Sequence, residues 1–216
     1  MRRGSTLIVT STISPLEVIE AEKVAQECGV AVLDSPVSGG RRGAEEGSLA
    51  IMVGGNGKAL RENEAVLRAM GKNIYHVGKV GQGQAEKMIN QMLFCANIVS
   101  LAEAMIMAKK LGLNLSAMVD ILSKSSGDSF VLRNYAPRMV AGDFEAKAAI
   151  NILTKDTRII MDTGLKLDVL LPISSLPYQL YRMAESRGLG RQDVSAIIKV
   201  FEELSGVKVS AGDEKS

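Results

Sequence analysis

Gly81-Gln82-Gly83-Gln84-Ala85-Glu86-Lys87-Met88-Ile89-Asn90-Gln91 is the stretch at which the sequence changes character. Before it, short apolar runs alternate with helical or glycine-rich segments. After it, strand signals stop and helix-length segments follow one another. Upstream, residues 5–10, 30–34, 48–53 and 73–77 read as strands. Between the first two lies Ser14-Pro15-Leu16-Glu17: a capping serine, a proline at the first helical position and a glutamate that completes a capping box. A helix therefore runs to about Cys28 and stops at Gly29. A second helix is predicted over residues 58–70. Two successive strand–helix–strand units predict α/β architecture. Downstream, helices are predicted over residues 84–111, 116–123, 130–140, 150–164, 172–186 and 193–204, which makes an all-α half. The small, polar residues 207–216 are expected to be a disordered tail. No internal repeat is visible.

Three stretches carry candidate chemistry. The opening one places Lys87, Asn90 and Gln91 at i, i+3 and i+4, so an ammonium and two amides share one helix face. Burying such groups costs free energy unless they are paired. The local sequence leaves two readings, a reactive cluster or the polar entrance end of a core helix. Ser38-Gly39-Gly40-Arg41-Arg42-Gly43 follows the second strand. Its glycines suit either a tight loop or a backbone cradle for an anion. It is not a dinucleotide fingerprint, and no GxGxxG opens a helix anywhere in the chain. Lys155-Asp156, with Arg158 at i+3 from the lysine, is readable as a solvated helix face. Met105 and Met107 are expected to be core filler.

Composition narrows the function classes. The formal net charge is +2 over 216 residues, with Lys and Arg spread along the chain, which gives no basic footprint for nucleic acid. Aromatics are 4% with no Trp, so base-stacking platforms are not expected. Cys28, Cys95 and the single His76 form no metal-ligand spacing, so no metal is expected. Cys95 lies in an apolar helical run and reads as a small buried hydrophobe, which suits a reducing compartment. No secretory signal is visible. Residues 88–108 are long and apolar, but Asn90, Gln91, Asn97 and Glu103 interrupt them, so a buried helix is expected rather than a membrane span.

In this order, the stretches resemble the β-hydroxyacid dehydrogenase family, which includes 3-hydroxyisobutyrate dehydrogenases, tartronate semialdehyde reductases and threonate dehydrogenases. Ser11-Thr12-Ile13-Ser14-Pro15 resembles that family's strand end facing the nicotinamide. Asp34-Ser35-Pro36-Val37-Ser38-Gly39-Gly40, with Gly47 and Gly54-Gly55 behind it, resembles the loop that holds the substrate carboxylate. Gly81-Gln82-Gly83 through Lys87 and Asn90 resembles the catalytic helix, and Lys155-Asp156 the basic position closing over the cofactor. Leu171-Pro172 and Gly188-Leu189-Gly190 through Asp193 and Ser195 extend the similarity to about Val207.

The resemblance implies a fold in which residues 1–79 are the C-terminal part of a Rossmann-type NAD(P)-binding domain. Residues 80–206 would be an all-α substrate and oligomerisation domain. It implies hydride transfer between NAD or NADP and a small 3-hydroxy acid or its semialdehyde or keto form. Lys87 would be the general acid and base, a role that suits lysine when burial and a neighbouring cation lower its pKa from about 10.4. Asn90, Ser38, Gly39 and Gly40 would hold substrate, and Thr12 and Lys155 the cofactor. A homodimer or homotetramer in the cytoplasm is implied as well.

Three departures qualify it. Gln91 stands where the family often has a second asparagine, which puts substrate contact there in question. Arg41 and Arg42 follow the glycines directly and are expected to face solvent. A family member opens with a strand and a glycine-rich turn for pyrophosphate, whereas this sequence starts near the last part of that fold. Weak cofactor binding by residues 1–216 alone is therefore expected, and NAD and NADP stay open. Ser126-Gly127-Asp128-Ser129-Phe130 with Gly142-Asp143-Phe144 looks like the branch acting on threonate and other sugar acids. 3-Hydroxyisobutyrate, tartronate semialdehyde and succinic semialdehyde stay open beside it. The alternative reading is a non-catalytic relative that oligomerises, against which the retention of Lys87 with Asn90 argues.

Overall fold

The structure, a computed structural model, describes residues 1–210. Strands β1 (Thr6–Val9) and β2 (Ala31–Asp34) pair in parallel, with Thr6 opposite Ala31 and Val9 opposite Asp34. Helix α1 (Pro15–Glu27) crosses between them. Its capping box is formed: Leu16 N–H donates to Ser14 Oγ (3.3 Å) and Ser14 N–H to Glu17 Oε2 (3.3 Å).

The chain then makes a short excursion through β3 (Val37–Ser38) and α2 (Gly40–Glu45) before β4 (Ala50–Gly55). Helices α3 (Gly57–Glu62) and α4 (Glu64–Met70) lead to β5 (Asn73–Gly78), which runs parallel to β4. Both expected strand–helix–strand units are present. What the sequence does not reveal is their join: β4 is antiparallel to both β2 and β3, so the sheet is mixed. The helix expected over residues 58–70 is broken at Asn63. Its side-chain amide donates to Ala59 O (2.8 Å) and Thr6 Oγ1 (3.2 Å), competing with helical backbone geometry. Leu33, Ile51, Val53 and Leu67 form the main apolar core beneath this sheet.

The helical half consists of α5 (Gln82–Lys110), α6 (Leu115–Leu122), α7 (Phe130–Ala141), α8 (Ile150–Lys166), α9 (Pro172–Ser186), a 3-10 turn (Val194–Ile197) and α10 (Ile198–Ser205). The fold class is the expected one, a Rossmann-like α/β layer followed by helices. Among the described residues two compact units emerge, Met1–Gln91 with Ile159–Leu170, and Met92–Arg158 with residues 171–210. Ile98, Met105, Met139, Leu153, Tyr181 and Ile197 are central to the core of the second unit, and Cys95 is buried there as expected. Tyr181 donates its phenolic O–H to Cys95 O (3.2 Å).

Asp193 is fully buried in the same unit. Its carboxylate accepts from Ser195 N–H, Ser195 O–H, Lys147 N–H and Ala148 N–H, and lies 3.5 Å from Arg138 Nε. Ser129 caps α7 through Leu132 N–H (2.9 Å), and Gly142 ends it in the left-handed conformation. Parts of both stretches similar to the threonate branch thus serve as helix caps.

Three expectations meet a different outcome or fall outside reach. Met105 is buried, but Met107 is 63% exposed, because the buried stripe of α5 passes through the former and not the latter. Within the expected tail, Val209 is buried, its N–H donates to Glu202 Oε1 (2.7 Å) and Val207 packs against the core, while Lys208 is exposed. Residues 211–216 lie outside the described residues. Helix α5 is long and apolar enough to cross a membrane, and half of its most apolar window is buried inside the protein. Core helices share that pattern.

Candidate active site

The opening turns of α5 are fastened to the carboxyl edge of the sheet. Asp34, the last residue of β2, is fully buried and accepts from Gly81 N–H (3.0 Å) and Gln84 N–H (2.7 Å). It thereby does from a neighbouring strand what a capping side chain normally does from the helix itself. The approach is close. A Cβ on Gly83 would lie 2.4 Å from Met52 O and 2.6 Å from Asp34 O, and one on Gly54 would lie 2.3 Å from Asp34 Oδ1. Burial pushes the Asp34 carboxyl above its ordinary value of 3.8, while N–H donors, led by Gln84 and Gly81, pull it part of the way back.

One turn further, the side-chain amide of Gln84 accepts from Ile13 N–H (3.1 Å) and donates to Ser11 O (2.8 Å). It therefore grips the backbone on both sides of Thr12. Lys87 follows on the same buried stripe, only 8% exposed, and Gln91 lies another turn along. Asn90 is half-buried beside it and donates to Gln91 Oε1 (2.9 Å). This bond orients Asn90 and leaves its Oδ1 and second Nδ2 proton for other partners.

Ser38 ends β3, half-buried, and Gly39 and Gly40 follow it exposed, both with positive φ (133° and 62°). A Cβ on Gly39 would press on Leu49 Cδ2 at 3.0 Å, whereas one on Gly40 would meet nothing within 4 Å. The first glycine is favoured chiefly by its φ of 133°, and the second leaves the backbone approachable. Instead of a plain loop, Gly40 opens the short helix α2. On it, Arg41 and Arg42 are exposed and pair at i, i+4 with Glu45 (2.8 Å) and Glu46 (2.7 Å).

Lys155 belongs to the second unit, where Nζ lies 2.9 Å from Asp156 Oδ1. Asp156 is buried, which a solvated face did not predict, while Arg158 does face solvent. Among the described residues, no group of three His, Cys, Asp or Glu side chains is arranged to hold a metal.

The donor set can be compared with a nicotinamide cofactor. The N-terminus of α1 is closed by its own capping box, so it does not serve a pyrophosphate. The nicotinamide end fits better. In open α/β sheets ligands sit outside the carboxyl ends of strands, and here those ends present Ser11-Thr12-Ile13 after β1 and Ser35 after β2. Ser35 Oγ is fully buried and, among the described residues, has no hydrogen-bond partner, so it is not itself open to a ligand.

Neither Asp34 nor Gln84 was singled out on its own in the sequence. The signal was there for Gln84, a polar residue at i−3 from Lys87 on a stripe that turns apolar further on. For Asp34 the partner groups lie 47 and 50 residues away, beyond any local pattern.

Comparison with known proteins follows the same two halves. Residues 1–78 match the family described as NAD binding domain of 6-phosphogluconate dehydrogenase. Residues 81–201 match the one described as NAD-binding of NADP-dependent 3-hydroxyisobutyrate dehydrogenase. A 2-(hydroxymethyl)glutarate dehydrogenase of Eubacterium barkeri is 39% identical over 98% of this chain and 70% of its own length. An L-threonate dehydrogenase of Pectobacterium atrosepticum is 32% identical over 95% of this chain and 68% of its own. The structure of a Mycobacterium tuberculosis 3-hydroxyisobutyrate dehydrogenase with L-serine superposes with a TM-score of 0.86 at 31% identity. That match covers 93% of this chain and 71% of the other.

Proposed function

This chain belongs to the β-hydroxyacid dehydrogenase family of NAD(P)-dependent oxidoreductases, and on that premise we propose that Lys87 is its general acid and base. The observation that carries the reading is a lysine 8% exposed, one turn beyond a helix start tied to the carboxyl edge of the sheet. A bound nicotinamide supplies the hydride acceptor or donor. When the alcohol is oxidised, neutral Lys87 takes the hydroxyl proton at Nζ. In the reverse direction the ammonium returns it to the carbonyl oxygen. Asn90, one Nδ2 proton engaged by Gln91, orients the substrate by donating its second N–H to the reacting oxygen. Ser38, Gly39 and Gly40 hold the substrate carboxylate with the open backbone at Gly40. Thr12 and Lys155 hold the cofactor.

The substrate class is a small 3-hydroxy acid or the corresponding semialdehyde or keto acid. The relatives named for 2-(hydroxymethyl)glutarate and L-threonate support this choice. We read the assembly as a homodimer or homotetramer, supported by exposed Leu165, Leu170 and Ile173. The two free cysteines, Cys28 and Cys95, favour the cytoplasm. The test is reduction of NAD+ and NADP+ with 2-(hydroxymethyl)glutarate, L-threonate, 3-hydroxyisobutyrate and L-serine, with light scattering alongside. Turnover of at least one acid is expected at cofactor concentrations high enough to offset the weak binding expected of residues 1–216. No turnover of any, with either cofactor, overturns the reading.

A further inference from the structure

We propose that Gln84 is a positioning residue whose buried side-chain amide locks Ser11-Thr12-Ile13 to the first turns of the helix bearing Lys87. The inference rests on the proposed roles of Thr12 and Lys87 and adds the joint that sets one against the other.

Gln84 is fully buried, and its amide uses both ends on backbone more than 70 residues away, Oε1 on Ile13 N–H and Nε2 on Ser11 O. These two groups flank Thr12. A side chain that grips the backbone before and after one residue fixes that residue's place more tightly than a bond to its own side chain. The grip itself is anchored. Gln84 N–H is held by Asp34 Oδ2 at 2.7 Å, and Gly81, three residues earlier, by Asp34 Oδ1 at 3.0 Å. Gly83 has backbone oxygens so close that no side chain fits. The helix start can therefore neither slide nor roll without breaking charge-assisted bonds or colliding with the sheet.

From Gln84 to Lys87 is less than one helical turn, about 4.5 Å of rise. Any displacement of the joint reaches Nζ almost undiminished. An error of about 1 Å in the placement of reacting groups can cost about a hundredfold in rate. Glutamine suits the task because it both donates and accepts.

The chemistry of that amide gives a specific test. In Gln84→Glu, at about pH 8, a carboxylate would still accept from Ile13 N–H but would face Ser11 O with no proton to donate. Lowering the pH to about 5.5 favours the carboxylic acid, which regains the donor, because burial raises a carboxyl pKa. In Gln84→Met both bonds are lost at every pH. NADH and NADPH titrations should show cofactor affinity at least about tenfold weaker for both variants at the higher pH. The KM for the hydroxy acid should stay near the wild-type value, and only Gln84→Glu should recover affinity on acidification. Hydrogen exchange at the Ile13 amide should be slow in the wild type and accelerated in Gln84→Met, where its acceptor is gone.

Unchanged cofactor affinity in both variants, or equal weakening of cofactor and hydroxy acid without acid recovery, overturns the proposal. Free-loop exchange of the Ile13 amide in the wild type overturns it without any variant. If the wild type turned over no hydroxy acid, the functional reading would fall. The exchange and titration results would still decide whether Gln84 is the joint.

Discussion

The two ends of helix α5 bury one continuous stripe with opposite chemistry. At the start the stripe is Gln84, Lys87 and Gln91; from Cys95 it continues through Ile98, Ala102 and Met105. The change falls between Gln91 and Cys95, beside the division between the two compact units at 91 and 92. The apolar end gains from leaving water, roughly 1.5–3 kcal/mol for each large side chain. The polar end gains little that way and demands a partner for every buried group. The lesson is that the first turns are shaped for chemistry and the later turns for stability, although one helix carries both.

The largest stability effect should come from the apolar end. Ile98→Ala removes a fully buried side chain from the second unit's core, at a cost of about 2–5 kcal/mol. Urea unfolding should show the loss while turnover per folded molecule stays close to wild type. A selective loss of turnover with unchanged stability would erase the contrast. Next is the junction. Gly83→Ala forces a methyl toward Met52 O and Asp34 O, and overpacking of this kind costs about 1–3 kcal/mol. Here stability and turnover should fall together, because the same backbone carries Lys87.

The smallest effect is visible only as a pH dependence. Burial raises the folded-state pKa of Asp34 above its ordinary value of 3.8. The stability linked to that group is fully present below the unfolded pKa and is lost as pH rises through the folded value. Asp34→Asn removes the titration, so the wild type should lose ground to the variant as pH rises from about 4 to 7. Urea midpoints of both proteins across that range measure it. A wild type that gains on the variant with rising pH would contradict the assigned cause.

Much of this contrast is legible in the sequence. Lys87, Asn90 and Gln91 share a face by spacing alone, and the apolar run after them announces a core helix. The capping box at Ser14 and Glu17 forms as read, because its parts are local. What escapes is non-local. The antiparallel join of β4 to β2 depends on a turn through residues 35–49 that has no strong pattern of its own. The break at Asn63 depends on a reach to Thr6 Oγ1. The grip of Asp34 and Gln84 on opposite sides of the α5 start is visible only once strands far apart in sequence are side by side.

The most direct measurement is steady-state turnover of a small hydroxy acid by Lys87→Ala beside the wild type, with unfolding midpoints of both. The account predicts a fall of about 10²–10⁴-fold in turnover with the midpoint kept, since the stability of α5 lies in its apolar turns. Undiminished turnover in Lys87→Ala would contradict it.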